Sequence, residues 1–251
     1  MCTLIAAVRH FEGLPLLVAA NRDERYDRAA TTVHAWANEP GEPFVAPRDD
    51  VAGGTWLGVN AGGLFAGVTN RFGATRDPAR ASRGTLVVEA LRARSAASLH
   101  ATLAALSSRR FNAFHLLYAD AARAFVTWSD GETVRQHELE PGLHIVTESS
   151  LGGRDRTRTE RLTDLLAAFD RSRAPEPEAM EALLRIHDAE HPFGGTCVHV
   201  PELGYGTRSS AVLYAAPRLA DSRLYWAEGS PCTTPYEDRS ALLRALATAA
   251  R

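Results

Sequence analysis

Residues 1–25 read MCTLIAAVRHFEGLPLLVAANRDER and contain two apolar runs separated by a short segment with glycine and proline. Such a segment is typical of a turn, so the sequence predicts strands over 2–8 and 16–21 that pair as a hairpin. Because turn length fixes the register of the strands, Cys2 is expected to lie across from residues 21–23. The first 25 residues therefore predict the start of an antiparallel sheet with a cysteine and charged residues at one end.

Cys2 directly follows Met1. Removal of Met1 would leave one residue that carries both a thiol and a free α-amino group. The unperturbed pKa values of these groups are about 8.5 and about 7.7–8.0, so a nucleophile and a general base both come within reach of neutral pH. Cys2 is therefore a candidate catalytic residue.

The second predicted strand ends in Asn21-Arg22-Asp23-Glu24. In the hairpin register Arg22 is expected to stabilise a thiolate on Cys2, and Asp23 is expected to accept hydrogen bonds from the α-ammonium group. The alternative interpretation is a solvated turn with local salt bridges.

Residues 55–70 predict a strand, a tight turn over 60–63, and a second strand that ends at Asn70. An amide at this position is expected to donate to an oxyanion. Trp56 is a candidate for lining a substrate pocket, with a core position as the alternative. The glycines of this segment do not follow the GxGxxG pattern, which argues against nucleotide binding.

Composition excludes several classes of protein. The formal net charge is −2, whereas a nucleic-acid partner calls for a strongly basic face. All 28 basic residues are arginine, so there is no lysine for a Schiff base or a Walker A motif. No stretch approaches the roughly 18–20 apolar residues of a membrane span, and no basic segment marks a signal peptide, so we expect a cytoplasmic protein.

No repeat or change in composition marks a boundary, so the sequence predicts one domain over residues 1–251. Strands and helices cluster instead of alternating, which favours an α+β layered sandwich. The predicted helices cover 83–94, 96–106 with Ser95 as N-cap, 157–169 and 177–187. The further predicted strands cover 114–119, 124–128, 133–137, 144–147, 196–200, 209–215 and 224–227.

Five short segments together resemble the NRDE family, which includes the transport and Golgi organisation protein 2 proteins. They are Met1-Cys2, Asn21-Arg22-Asp23-Glu24, Gly53-Gly54-Thr55-Trp56-Leu57-Gly58, Thr69-Asn70 and Tyr205-Gly206-Thr207-Arg208. The layout is also similar, more distantly, to N-terminal-nucleophile hydrolases of the bile-salt hydrolase and penicillin V acylase type. The resemblance implies a four-layer αββα sandwich.

The same resemblance implies roles for individual residues. Cys2 would be nucleophile and base, Arg22 and Asp23 its support, Asn70 an oxyanion donor, and Arg208 the late arginine of the site. Substrate contacts are expected from Asn21, Trp56, Asn60 and Glu148.

The chain departs from these hydrolases at Glu148. They place an asparagine there, and NRDE relatives have Ser-Asn, but this chain reads Thr147-Glu148-Ser149-Ser150. An ionised carboxylate accepts hydrogen bonds and cannot replace an amide donor. The sequence therefore supports a reactive cysteine more strongly than it supports amide hydrolysis.

The leading hypothesis is a cysteine amidohydrolase or acyltransferase that acts on a small amide or thioester and needs no cofactor. The alternative is a non-catalytic carrier of haem, acyl-CoA or a lipid metabolite on the same fold. The oligomeric state is not indicated by the sequence.

Three further patterns have alternative interpretations. His187-Asp188-Ala189-Glu190-His191 matches the H-x-x-E-H pattern of inverted zinc peptidases, but Pro192 follows it, and a polar helix end is favoured; no metal site is expected. A solvated helix face, with Arg156 and Glu160 paired, is favoured over an anion-binding patch for the arginines at 154, 156, 158 and 161. His34 and Cys232 are conceivable haem ligands outside any recognisable motif.

Overall fold

The computed structural model describes residues 2–36, 41–73, 75–150 and 157–249. In these ranges the strands are β1 (Cys2–Phe11), β2 (Leu14–Arg25), β3 (Ala30–Trp36), β4 (Phe44–Asp49), β5 (Leu57–Asn60), β6 (Phe65–Asn70), β7 (Phe114–Ala119), β8 (Ala124–Ser129), β9 (Val134–Glu138), β10 (Gly142–Val146), β11 (His199–Val200), β12 (Tyr205–Ala215), β13 (Arg223–Ala227) and β14 (Glu237–Asp238). The α-helices are α1 (Arg83–Leu91), α2 (Ala96–Leu103), α3 (Thr157–Ala167), α4 (Pro177–Leu184) and α5 (Ser240–Ala249).

The strands form two antiparallel sheets. The first has the order β10-β1-β2-β12-β13-β14, with β11 paired to β12. The second follows the chain from β3 to β9 in the order β3-β4-β5-β6-β7-β8-β9. One apolar cluster lies between the two sheets. A second lies between the second sheet and helices α1 and α2, and a third lies between the first sheet and helices α3 and α4. The result is the α+β four-layer αββα sandwich that the sequence and the resemblance predict.

Strand β1 shows why the chain begins with an unbroken apolar run. Leu4 and Ala6 lie in the cluster between the sheets, whereas Ile5 and Ala7 pack in the cluster that contains α3 and α4. Because side chains alternate across a strand, a strand with a layer on each face must be apolar at every position. Residues 4–8, LIAAV, meet this requirement and place β1 in the centre of the fold.

The pair α1 and α2 covers the outer face of the second sheet. Leu86 and Leu99 share a cluster with Phe114 and Tyr118 of β7. The predicted N-cap is confirmed: the Ser95 hydroxyl accepts from the Ser98 N–H in a reciprocal capping box. Among the described residues, no helix is long and apolar enough to cross a membrane.

Four elements are absent from the sequence-based prediction: β3, β4, β14 and α5. Strand β4 contains Pro47, which normally argues against a strand because proline lacks a backbone N–H. Pro47 lies where the register between β3 and β4 shifts, between the pairs Thr31–Arg48 and His34–Ala46, so no regular ladder bond is lost. The predicted helix over 177–187 is too long, since α4 ends at Leu184.

Candidate active site

Cys2 begins β1 and pairs with Arg22 of β2, while Thr3 pairs with Asn21. This pairing lies within the range 21–23 that the hairpin turn predicts, and a register shift between Val8 and Phe11 selects Arg22. Cys2 is only half buried, because it lies at the end of the sheet. The thiol and the guanidinium of its partner therefore reach the same opening between the two sheets.

A cleft of about 320 Å³ opens at this end of the sandwich. Five of the predicted site residues line it: Cys2, Arg22, Asp23, Trp56 and Asn70. Asn70 is exposed at the end of β6, so its side chain comes from the second sheet while the others, apart from Trp56, come from the first. The volume lies within the range of about 300–1,000 Å³ that is usual for small-molecule sites.

The surroundings of the Cys2 thiol both raise and lower its pKa. Burial, the largest influence, raises the pKa of Cys2, and the charge of Asp23 acts in the same direction. The backbone N–H of Asp23 and the charge of Arg22 lower the pKa of the thiol. The net direction is upward, so the resting side chain is a thiol and its reaction as a nucleophile needs a base.

Arg22 is held in place by an aromatic contact. Its Cζ lies 4.2 Å from the ring centroid of Trp56, and its Nη2 lies 3.9 Å from Oε2 of Glu24. Burial lowers the pKa of Arg22, although the guanidinium remains charged at neutral pH. Trp56 therefore acts as a platform that presents a fixed positive charge beside Cys2.

Asp23 is buried and receives a 2.6 Å hydrogen bond from the Thr207 hydroxyl at Oδ1. Burial raises the pKa of this carboxyl to about 6, although the hydrogen bond from Thr207 and the charge of Arg158 act in the opposite direction. The backbone carbonyl of Asp23 accepts a 2.9 Å hydrogen bond from the Tyr205 hydroxyl. Strand β12 thus orients both the side chain and the main chain of Asp23.

Glu148 is buried in an ion pair with Arg158, at 3.2 Å between Oε1 and Nη2. Arg158 also donates to the Thr3 hydroxyl at 3.0 Å and to the carbonyl oxygen of Phe193. The favoured prediction of a solvated face is therefore wrong for Arg158, because α3 packs against the first sheet and its first turn directs this side chain inward. Arg161 is exposed, as predicted.

The positions Arg154 and Arg156 lie outside the described residues, and so does the predicted pair between Arg156 and Glu160.

Four predicted site residues do not line the cleft: Glu148, described above, and Asn21, Asn60 and Arg208. The Asn21 amide donates to the carbonyls of Leu184 and Thr196, at 2.8 and 2.7 Å. Asn60 is also buried, and its amide donates to the carbonyls of Leu91 and Ala93, at 3.0 and 2.7 Å. Both amides are committed to backbone segments, so their placement does not support the assignment to substrate binding.

Arg208 is the fourth of these residues. The register between β12 and β2 shifts between Thr207 and Ser209, so Arg208 is the residue without a partner in that ladder. Its Cζ lies 5.9 Å from the ring centroid of Tyr26. Its role at the site remains a prediction.

Sequence reasoning missed Arg83, which lines the cleft from the first turn of α1. Burial lowers the pKa of Arg83, and a thiolate at Cys2 would oppose this change. The Gly53-Gly54 pair could have indicated that α1 approaches this segment closely. A Cβ on Gly54 would lie 2.3 Å from the carbonyl carbon of Gly84, so only glycine lets α1 approach this closely.

The cleft carries more positive than negative side chains. Six arginines and four carboxylates line it: Arg22, Arg25, Arg28, Arg76, Arg80, Arg83, Asp23, Glu24, Asp49 and Asp77. Several of these charges are paired, since Arg28 lies 2.6 Å from Asp49, Arg22 lies 3.9 Å from Glu24 and Arg80 lies 3.5 Å from Asp77. Arg25 is paired with Asp27, which does not line the cleft. The remaining balance favours an anionic group on any ligand that enters.

The H-x-x-E-H segment does not form the helical site of a zinc peptidase. Helix α4 ends at Leu184, so His187 and His191 lie beyond it and not on one helical face. The two conceivable haem ligands lie on different parts of the fold. His34 stacks on Trp36 in β3, whereas Cys232 lies after β13 beside His199.

A family model described as "Transport and Golgi organisation 2" matches residues 1–218. The chain belongs to this family. A transport and Golgi organization protein 2 homolog from Bos taurus is 27% identical over 226 residues, which cover 79% of this chain and 81% of the relative. The human homolog is 25% identical over 232 residues with the same coverage. The names of these Transport and Golgi organisation 2 relatives specify no reaction.

Solved structures give the fold of this Transport and Golgi organisation 2 chain. A mutant of conjugated bile acid hydrolase from Clostridium perfringens has a TM-score of 0.59 at 12% identity and covers 97% of this chain and 94% of its own. A Caenorhabditis elegans N-acylethanolamine-hydrolyzing acid amidase ortholog has a TM-score of 0.56 at 17% identity, with coverage of 88% and 94%. Penicillin V acylase from Agrobacterium tumefaciens has a TM-score of 0.56 at 13% identity, with coverage of 96% and 88%. At these identities the likeness establishes the N-terminal-nucleophile hydrolase fold alone.

Proposed function

We propose that this protein is a cysteine N-terminal-nucleophile amidohydrolase or acyltransferase that acts on a small amide or thioester after removal of Met1. One observation carries the proposal. Cys2 lies at the end of β1, beside its ladder partner Arg22, on the wall of a polar cleft that Asp23 and Asn70 also line. The fold shared with bile acid hydrolase and penicillin V acylase supports the same reaction class.

In the first step the free α-amine of Cys2 takes the thiol proton, directly or through a water molecule. The amine is needed because burial raises the pKa of the thiol. The sulfur then attacks the substrate carbonyl, and the α-ammonium that results is stabilised by the carboxylate of Asp23. Arg22 supplies a fixed positive charge that favours the thiolate.

In the second step the oxyanion is held by the Asn70 amide and by backbone N–H groups. The tetrahedral intermediate collapses, the carbon–nitrogen or carbon–sulfur bond breaks, and the leaving group takes the proton from the α-ammonium. Water then attacks the thioester at Cys2 to release the acid, or another nucleophile takes the acyl group. Glu148 contributes no amide donor, because its carboxylate accepts hydrogen bonds from Arg158.

The charge of the cleft indicates the class of substrate. Six arginines against four carboxylates favour an acyl donor that carries a carboxylate or phosphate group. Arg83 is the best placed of these side chains, since it is half buried at the cleft wall and lies near enough to Cys2 for their charges to interact.

Labelling with an electrophilic acyl probe, followed by peptide mapping, tests the proposal. Intact mass is expected to show that Met1 is absent, and one adduct is expected on Cys2. Cys2→Ala is expected to abolish the adduct, whereas Arg161→Gln, which changes an exposed side chain outside the cleft, serves as the control and should not change it. Retention of Met1 in labelled protein, or equal labelling of Cys2→Ala, would contradict the proposal.

The ion pair at Glu148 favours a second candidate, a non-catalytic carrier of haem, acyl-CoA or a lipid metabolite. A buried Glu148–Arg158 pair stands where the hydrolases resembled by this chain place an amide. A carrier would show ligand-induced spectral or thermal shifts that persist in Cys2→Ala, together with no covalent adduct. A cytoplasmic location remains a prediction under either candidate.

A further inference from the structure

Four potential metal-ligating side chains converge outside the cleft. They are His187, Cys197, His199 and Cys232, and one ligand atom from each lies within 4.8 Å of all the others. The set comes from three separate segments: the chain after α4, the chain that leads into β11, and the loop after β13. Tertiary structure alone brings these three segments together.

Two distances in this cluster are close to those around a tetrahedral zinc ion. His199 Nε2 lies 3.5 Å from Cys197 Sγ and 3.2 Å from Cys232 Sγ. The rings of His187 and His199 have centroids 5.3 Å apart. Zinc–sulfur bonds of about 2.3 Å and zinc–nitrogen bonds of about 2.0–2.1 Å place neighbouring ligand atoms about 3.3–3.8 Å apart. Only small side-chain movements are needed to enclose an ion.

We propose that His187, Cys197, His199 and Cys232 form a Cys2His2 zinc site. Two thiolates and two imidazoles in tetrahedral arrangement are a donor set that selects zinc over magnesium or calcium, which prefer oxygen. Binding would displace the two thiol protons, and the ion would stabilise the adjacent thiolates. Four protein ligands leave no position for substrate or water, so the site is structural and not catalytic.

The zinc site also braces a neighbour of the cleft. Val198 lies between two of the ligands, and its N–H donates to the Thr207 hydroxyl at 2.8 Å. The backbone N–H of Thr207 donates back to the Val198 carbonyl at 2.8 Å, and the Ser230 hydroxyl donates to the Thr207 carbonyl at 2.7 Å. A metal that ties the β11 segment to the loop after β13 would therefore stabilise Val198 and Ser230, the two partners of Thr207 in these segments.

Metal analysis of the full chain tests this site independently of any activity. Protein purified with reductant, and with any affinity tag removed, is expected to hold about one zinc ion per chain. Replacement by Co²⁺ is expected to give d–d bands of tetrahedral cobalt and a near-ultraviolet sulfur-to-cobalt charge-transfer band. Reduced, folded protein with no zinc above the buffer background and no such bands would overturn the proposal.

Variants identify the ligands. Cys232→Ala and His187→Ala are both expected to lose the zinc, and both change exposed side chains, so the fold should survive. His191→Ala, an exposed histidine outside the cluster, and Cys2→Ala are expected to keep it. Equal loss in His191→Ala would overturn the ligand assignment. A disulfide between Cys197 and Cys232 that is reduced without any gain of zinc binding would overturn the site itself.

Discussion

The Thr207 hydroxyl donates a 2.6 Å hydrogen bond to the buried carboxylate of Asp23. The same oxygen accepts from the Val198 N–H, so it connects the candidate active site to the cysteine and histidine cluster. Strand β12 therefore does more than extend the first sheet, because one side chain from it orients a carboxylate whose charge acts on Cys2.

Removal of this hydroxyl is expected to destabilise the protein. Thr207→Val keeps the shape of the side chain but leaves the buried Asp23 oxygen without its donor and the Val198 N–H without its acceptor. An unsatisfied buried group costs about 1–3 kcal/mol, so the free energy of unfolding in urea should fall by at least that amount. Thr207→Ser retains the hydroxyl and is the matched control. Equal losses in the two variants would mean that the methyl group, and not the hydrogen bond, is responsible.

Two buried groups make opposing contributions to stability in acid. Burial raises the pKa of Asp23 from 3.8 to about 6, so its stabilising contribution is full below pH 3.8 and is lost as the pH rises through 6. Burial lowers the pKa of His115 from 6.5 to about 4, so its contribution is full above pH 6.5 and is lost as the pH falls through 4. Between pH 4 and 6 the two effects largely cancel in the wild-type protein.

Asp23→Asn is expected to remove the contribution of Asp23 and to leave that of His115. Its free energy of unfolding should fall more steeply from pH 6 to pH 4 than that of the wild type, by up to about 3 kcal/mol. The comparison uses urea unfolding at each pH, and His115→Gln should show the opposite change in slope. If the free energy of unfolding depends on pH in the same way for the wild type and Asp23→Asn, the Asp23 carboxyl has the same pKa in the folded and the unfolded protein.

Arg22 is expected to control the reactivity of Cys2. Its charge lowers the pKa of the thiol, so Arg22→Gln raises that pKa and reduces the thiolate fraction. The rate of Cys2 alkylation by iodoacetamide at pH 8, followed by peptide mass spectrometry, should fall two- to tenfold, or about 0.4–1.4 kcal/mol. Arg161→Gln, which changes an exposed arginine of α3, should leave the rate unchanged. A faster rate in Arg22→Gln would contradict the assigned role.

The buried Glu148–Arg158 pair predicts strong coupling between two substitutions. Arg158→Met leaves an uncompensated buried carboxylate, which typically costs about 3–5 kcal/mol. Adding Glu148→Gln removes that charge, so the double variant should be more stable than Arg158→Met alone. A double-mutant cycle in urea measures the coupling free energy. Additive losses would show that the two side chains titrate and pack independently.

Local patterns predicted the parts of the site that depend on local geometry. The short turn between β1 and β2 places Cys2 opposite residues 21–23, and a register shift between Val8 and Phe11 makes Arg22 its partner. Ser95 caps α2 because the signal for a capping box is contained in four residues. The layered fold followed from the order of strands and helices, together with the family resemblance.

Long-range packing decided the rest. Helical periodicity could not place Arg158 in the interior, because its partners Glu148 and Thr3 come from other elements. The sequence shows that Asn21 is polar, but only the folded chain places the Leu184 carbonyl where the Asn21 amide can donate to it. In the cysteine and histidine cluster only Cys197 and His199 are close in sequence, and the other two members come from separate segments.

The contact between Gly54 and Gly84 is expected to tolerate no side chain. In Gly54→Ala the new Cβ would lie 2.3 Å from the Gly84 carbonyl carbon and 2.7 Å from its Cα. Backbone atoms cannot rotate away, so the start of α1 must move, at a cost at or above the upper end of the about 1–3 kcal/mol that overpacking usually causes. Urea unfolding measures this loss. Because Arg83 precedes Gly84 and lines the cleft, labelling of Cys2 by an anionic acyl probe should weaken as well.

Gly62→Ala is the matched control: its Cβ meets only ordinary contacts at 3.4 Å on an exposed turn, so its stability should stay within about 0.5 kcal/mol of the wild type. Wild-type stability in Gly54→Ala would show that α1 does not need this close approach.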